Sequence, residues 1–152
     1  METIIVSACL LGENTKYNGK NNYDPRIEKI KENYDIIPVC PEVFGGMSIP
    51  REPSELIKGL AYSKSGKDVN NYFVKGANSV VNIAKYMHVR KAILMDRSPS
   101  CGVKEIYDGY FTSRLIPGEG FTTSYLKKIG VECYTLDDFI SLFLSENKDD
   151  QE

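Results

Sequence analysis

The sequence predicts an α/β fold: one domain built on a small, mostly parallel, Rossmann-like sheet flanked by helices. Three observations point there. Apolar runs with strand character, Ile4 to Ser7, Asp35 to Val39 and Lys91 to Met95, alternate with segments of helical period, the pattern of βαβ units. No internal repeat, low-complexity tract or Pro/Gly-rich linker divides the chain. At 152 residues it is long enough to bury its own core without disulfides. A single domain is therefore expected over 1–145, followed by an acidic tail, 146–152, that frays by default.

The elements follow in order. After the first strand, Asp24 reads as an N-cap with Pro25 in the first turn, leading a helix that turns Ile27 and Ile30 inward. Asp35 to Val39 is the second strand. A longer helix is predicted from about Asp68 to Met87, where Val69, Phe73, Ala77, Val80, Val81 and Ala84 recur at helical spacing. Lys91 to Met95 is the third strand. Thr122 or Thr123 is expected to cap a short helix closed at Gly130, and Val131 to Tyr134 then reads as a strand. Leu136 to Leu144 forms a last amphipathic helix.

Composition narrows the function classes. A net charge of -2 exerts no broad pull on nucleic acid or anionic lipid. The N-terminus lacks the basic start and long apolar stretch of a secretory signal, and no segment reaches membrane-spanning length, so a cytoplasmic location is expected. Four cysteines in such a chain read as metal ligands or catalytic thiols rather than as a disulfide framework.

Three of them share a position. Cys9, Cys40 and Cys101 each fall just past the C-terminal end of a predicted strand, and in a parallel sheet those ends form one edge, where ligand crevices are built. Burial is the competing reading for any one of them; their common placement and Gly/Pro-containing loops argue against it. Cys133 lies inside a predicted strand and reads as core packing. Zinc also accepts thiolates. A structural zinc site, however, wants four ligands, usually in close pairs such as C-x2-C; no such pair exists, and the sole histidine, His88, falls near the end of the long helix. Three thiolates on an iron-sulfur cluster would leave one iron free as a Lewis acid.

The motifs Val6-Ser7-Ala8-Cys9-Leu10-Leu11-Gly12, Val39-Cys40-Pro41-Glu42-Val43, Gly45-Gly46 with Pro50-Arg51, and Ser98-Pro99-Ser100-Cys101-Gly102 together resemble the thiouracil desulfidase family. The likeness continues in order through Gly66-Lys67-Asp68-Val69, Ile106-Tyr107-Asp108-Gly109 and Gly118-Glu119-Gly120. The resemblance implies a 4Fe-4S cluster bound by Cys9, Cys40 and Cys101, with one iron not bound by protein, and catalytic roles for Glu42 and Ser100. Two departures stand out: Lys16-Tyr17-Asn18-Gly19 in place of Arg-Tyr-Asp-Gly, and Asp96 in place of a lysine.

The expected reaction is non-redox removal of sulfur from 4-thiouracil or 4-thiouridine monophosphate, giving the uracil form and hydrosulfide. A soft thiocarbonyl sulfur suits an open iron position. Glu42 is expected as general base toward water, with Ser100 steering the proton. Gly118, Gly120 and Thr122 lie in a Gly-rich turn feeding a helix N-terminus and are candidates to bind a substrate phosphate, as are Lys16, Lys20 and Arg51. Tyr17, Phe44 and Tyr107 are candidates to stack on the pyrimidine. The expected partner is thus a small thiopyrimidine or thionucleotide, with nucleic acid entering only as a modified tRNA. The competing class is a non-catalytic iron-sulfur or zinc-binding module that senses redox state; thiol-disulfide exchange would call for a C-x-x-C pair, which is missing.

Overall fold

The computed structural model describes residues 1–144, so the expected acidic tail lies outside the described residues. Ile4, Ile5 and Val6 are fully buried, the mark of a strand covered on both faces, and they form the centre of β1 (Thr3–Ser7). β1 pairs in parallel with β2 (Asp35–Val39) on one side and β5 (Lys91–Ile93) on the other, and β5 pairs in parallel with β8 (Glu132–Tyr134). The sheet order is β2-β1-β5-β8. The chain leaves β1 toward β2 and later returns to β1's other side, so the topological switch point lies between β1 and β5.

Alternation along the strands feeds two helical layers. Ile4, Val6 and Ile93 pack with Ile27 and Ile30 of α1 (Ile27–Asn33) and with Leu136 and Phe139 of α5 (Leu136–Phe143). Ile5, Ala92 and Val39 face the other way. They meet Val80, Val81 and Ala84 of α3 (Asn70–Tyr86) and Leu126 of α4 (Phe121–Lys128). Helix α4 stops as expected: Gly130 takes φ 87°, and the Gly130 and Val131 N–H groups donate to the Lys127 and Leu126 carbonyls. Among the described residues, no helix is long and apolar enough to cross a membrane.

Some boundaries differ from expectation. The third strand ends at Ile93 rather than Met95, because the Met95 N–H turns away to the Ser7 hydroxyl. Helix α1 begins at Ile27; Asp24 instead caps the preceding turn by accepting the Arg26 N–H. Neither Thr122 nor Thr123 caps α4. Gly120 is its N-cap, and both threonines are buried in the first turn with unpartnered hydroxyls.

Two antiparallel hairpins were not foreseen. β3 (Ser54–Ile57) pairs with β4 (Leu60–Ser63) across Lys58-Gly59, where both residues have positive φ. β6 (Glu105–Tyr107) pairs with β7 (Leu115–Pro117). Leu56, Ala61 and Ile106 seat these hairpins on Val69 and Phe73 at the start of α3. The hairpins thereby wall off one side of the sheet's C-terminal edge.

Candidate active site

A cleft of about 530 Å³ opens at that edge, lined by residues that follow β1, β2 and β5 and by the two hairpins. Cys9 enters it from a single 3-10 turn, Ala8–Leu11, directly after β1. Cys40 enters as the extended N-cap of α2 (Pro41–Phe44), and Cys101 from the loop beyond β5. Cys101 is 4% exposed.

Burial pushes all three thiols above the usual cysteine range. Negative charge on Cys40 would raise both Cys9 and Cys101, so the thiols are electrostatically coupled neighbours. Asn22 Nδ2 donates to Cys9 Sγ at 3.5 Å, and Cys40 Sγ donates to the Thr15 carbonyl at 3.8 Å. Yet no group of three or more His, Cys, Asp or Glu residues among the described residues closes on one metal-ion position. The donor set is three thiols around a shared space. Cys133 stands apart on β8, packed against the core, its thiol pushed up to about 12 by burial.

The third cysteine's loop is tied down from two directions. Asp96 Oδ1 accepts the N–H groups of Arg97, Val103, Lys104 and Glu105 at 2.8 to 3.2 Å, while Ser98 Oγ accepts those of Ser100 and Cys101. Burial alone would raise the Asp96 carboxyl, but these N–H groups together hold it below the usual carboxylate range. From behind, Gly120 presses so closely that a Cβ there would overlap the Ser100 carbonyl.

Glu42 sits in the first turn of α2, whose backbone lies directly on α3: a Cβ at Gly76 would overlap the Pro41 carbonyl. Each carboxylate oxygen has its own partner. Oε1 accepts Arg51 Nε at 3.0 Å and Oε2 accepts the Ser100 hydroxyl at 3.0 Å. The Arg51 and Glu42 side chains are only 7% and 11% exposed, which makes this a shielded ion pair. Arg51 also donates to the carbonyls of Ser48 and Thr15, at 3.2 and 2.8 Å.

The structure thus brings Cys9, Cys40, Cys101, Glu42, Ser100, Lys16 and Arg51 to one cleft, with Tyr17 and Tyr107 beside them. Gly118, Gly120, Thr122, Lys20 and Phe44 do not line it. In place of the expected phosphate contact, the Gly118, Gly120 and Thr122 N–H groups donate to the Lys104, Gly102 and Ser100 carbonyls. They brace the cysteine loop instead. The physical reason is that α4 follows the β6–β7 hairpin, so its N-terminus opens behind that loop and not at the edge of the parallel sheet. Arg51, expected at a substrate anion, holds Glu42.

Asn22, Glu55 and Phe111 also line the cleft and were not singled out from sequence. The Asx-rich stretch Asn18 to Asp24 after the first cysteine was the available signal for Asn22. Glu55 and Phe111 needed the hairpins.

Comparison with known proteins bears on this site. The family model described as 2-thiouracil desulfurase matches residues 4–138. The Bacillus subtilis (strain 168) protein YbbK, itself described as uncharacterized, is 36% identical over 137 residues, covering 84% of this chain and 91% of that protein. A solved structure described as a 4Fe-4S-dependent thiouracil desulfidase, TudS, superposes with a TM-score of 0.89 at 34% identity, over 97% of this chain and 99% of that one.

Proposed function

This chain belongs to the 2-thiouracil desulfurase family, and we propose that it is an iron-sulfur-dependent thiouracil desulfidase in which Cys9, Cys40 and Cys101 hold a 4Fe-4S cluster with one iron free of protein ligands. The donor set fits such a group. Three thiols in one cleft, Cys101 buried and Cys9 and Cys40 half-buried, whose anions would repel one another need a compensating cationic core, and with no fourth Cys or His among the cleft-lining residues they suit a polynuclear cluster better than a structural zinc ion. Bound there, the cluster supplies a Lewis-acidic position for a soft thiocarbonyl sulfur.

The chain's own residues supply the proton chemistry. Water adds to the ring carbon, and its proton passes through the Ser100 hydroxyl to Glu42 Oε2, the oxygen that already accepts from that hydroxyl. Arg51 fixes the other oxygen and so the carboxylate plane. Glu42 then returns the proton to the departing sulfur; as hydrosulfide leaves, the added hydroxyl gives up its remaining proton through Ser100 to the freed Glu42 carboxylate and on to solvent, so the thiocarbonyl becomes a carbonyl and no electron is transferred. Lys16, half-buried in the cleft, and the exposed Lys64 offer cations to a nucleotide's phosphate. Turnover of 4-thiouracil and 4-thiouridine monophosphate, measured side by side, tests that part.

The observation that carries this reading is the 3.0 Å contact between Ser100 and Glu42 inside a cleft lined by three thiols. Anaerobically reconstituted protein should release sulfide from one of these substrates. Glu42→Ala should keep its iron and lose about 10²- to 10⁴-fold in kcat. An intact cluster with no sulfide release would instead leave the non-catalytic module; full activity in Glu42→Ala would remove the assigned base.

A further inference from the structure

The cleft is also walled by β3 and the loop between β6 and β7, and that wall carries a carboxylate that the proposed mechanism does not use. Glu55 is 9% exposed and lines the cleft. Its Oε1 accepts the N–H groups of Gly109 and Phe111, at 3.0 and 3.1 Å. The two donors come from residues with positive φ, 97° and 58°. For Phe111 this is an uncommon backbone, stabilised by the carboxylate it points at, and it brings the Phe111 side chain into the cleft lining.

Loop anchoring engages only one oxygen. Among the described residues, no donor or cation reaches Oε2, and it is not one of the buried atoms lacking a partner. It is therefore an acceptor left open on the cleft. A carboxylate oxygen so placed can take a charge-assisted hydrogen bond from a ligand donor that displaces water from it. A thiouracil ring has a donor in the needed place: the N3–H lies beside the thiocarbonyl carbon, whether sulfur is carried at C2 or C4. Cytosine-type rings present an acceptor there.

We propose that Glu55 is the specificity-determining acceptor of this site, Oε1 anchoring the Gly109–Phe111 loop and Oε2 taking the N3–H of the bound pyrimidine. The inference rests on the desulfidase reading for its substrate class. Glu55→Gln separates the two functions. Its amide oxygen can still accept from Gly109 and Phe111, whereas the amide nitrogen replaces the open acceptor with a donor.

The wild type should turn over 4-thiouracil with a kcat/KM roughly 10- to 100-fold above that for its N3-methyl derivative, the range of one hydrogen bond to a charged group. Glu55→Gln should lose a similar factor on 4-thiouracil and all of that preference, with melting temperature and iron content unchanged. Equal use of both substrates by the wild type, or a preference retained in Glu55→Gln, overturns the proposal. Equilibrium binding to wild-type holoprotein gives a second measure that does not depend on the variant folding. Uracil and 1-methyluracil should bind alike and 3-methyluracil at least about tenfold more weakly; equal binding of all three overturns the proposal. Discrimination among these products without sulfide release from any thiopyrimidine would sink the desulfidase reading and leave Glu55's role standing.

Discussion

Arg51 shows how much one side chain can decide. Its guanidinium links three stretches of chain through Glu42, Ser48 and Thr15, and Thr15 also accepts from Cys40. With both side chains so little exposed, screening is weak, and Arg51→Ala should cost about 3–5 kcal/mol of unfolding free energy in urea titrations. Arg51→Lys keeps the charge but loses the fork and should fall in between. Asp96 gives a pH-dependent case. Its carboxyl is held low in the folded state, so it stabilises the fold above the unfolded value of about 4, and that contribution is lost as pH falls through the folded value. Asp96→Asn should therefore show a shallower loss of urea midpoint between pH 7 and pH 3 than the wild type. At this scale, Cys9, Cys40, Cys101, Glu42 and Ser100 were legible because each sits in a recognisable motif. The meaning of Asp96 was not, since its four donors come from residues one to nine positions away and only the folded loop gathers them.

Helix α2 has only four residues, too short to hold itself, and it is seated by the glycine contact with α3. Gly76→Ala poses a contest between effects. Alanine favours a helix by about 1 kcal/mol over glycine, but here its methyl would overlap backbone at Pro41, which cannot move without carrying Cys40 and Glu42 with it. The overlap should win: lower melting temperature and lower iron content. A raised melting temperature with full iron would mean that α2 is not seated this way. The long helix α3 and strands β1 and β2 were readable because period and apolar runs announce them. The β3–β4 hairpin was hidden for a reason tied to the site. Its buried positions Ser54 and Glu55 are polar, and Lys58-Gly59 lacks the Asn-Gly or Asp-Gly signature of such turns. β6 and β7, of three residues each, lack the flanking apolar residues, Leu94 and Met95 after β5 and Val131 before β8, that made the equally short β5 and β8 readable.

For the molecule as a whole, strand order was invisible in the sequence because pairing is a long-range outcome, yet the site was not. Parallel strands place their C-terminal ends on one edge in any order, so three cysteines after three strands converge regardless; the order β2-β1-β5-β8 only adds that Cys9 and Cys101 flank the switch point. A cluster binding the folded state alone should also stabilise the whole domain, in proportion to how tightly it is held. The most direct measurement is iron and acid-labile sulfide per chain after anaerobic reconstitution, for the wild type and for each cysteine changed singly to serine. About four of each are expected in the wild type and in Cys133→Ser, and a loss of most of both in Cys9→Ser, Cys40→Ser and Cys101→Ser. Full iron in any of those three, or its loss in Cys133→Ser, would contradict a cluster held by that trio of thiols.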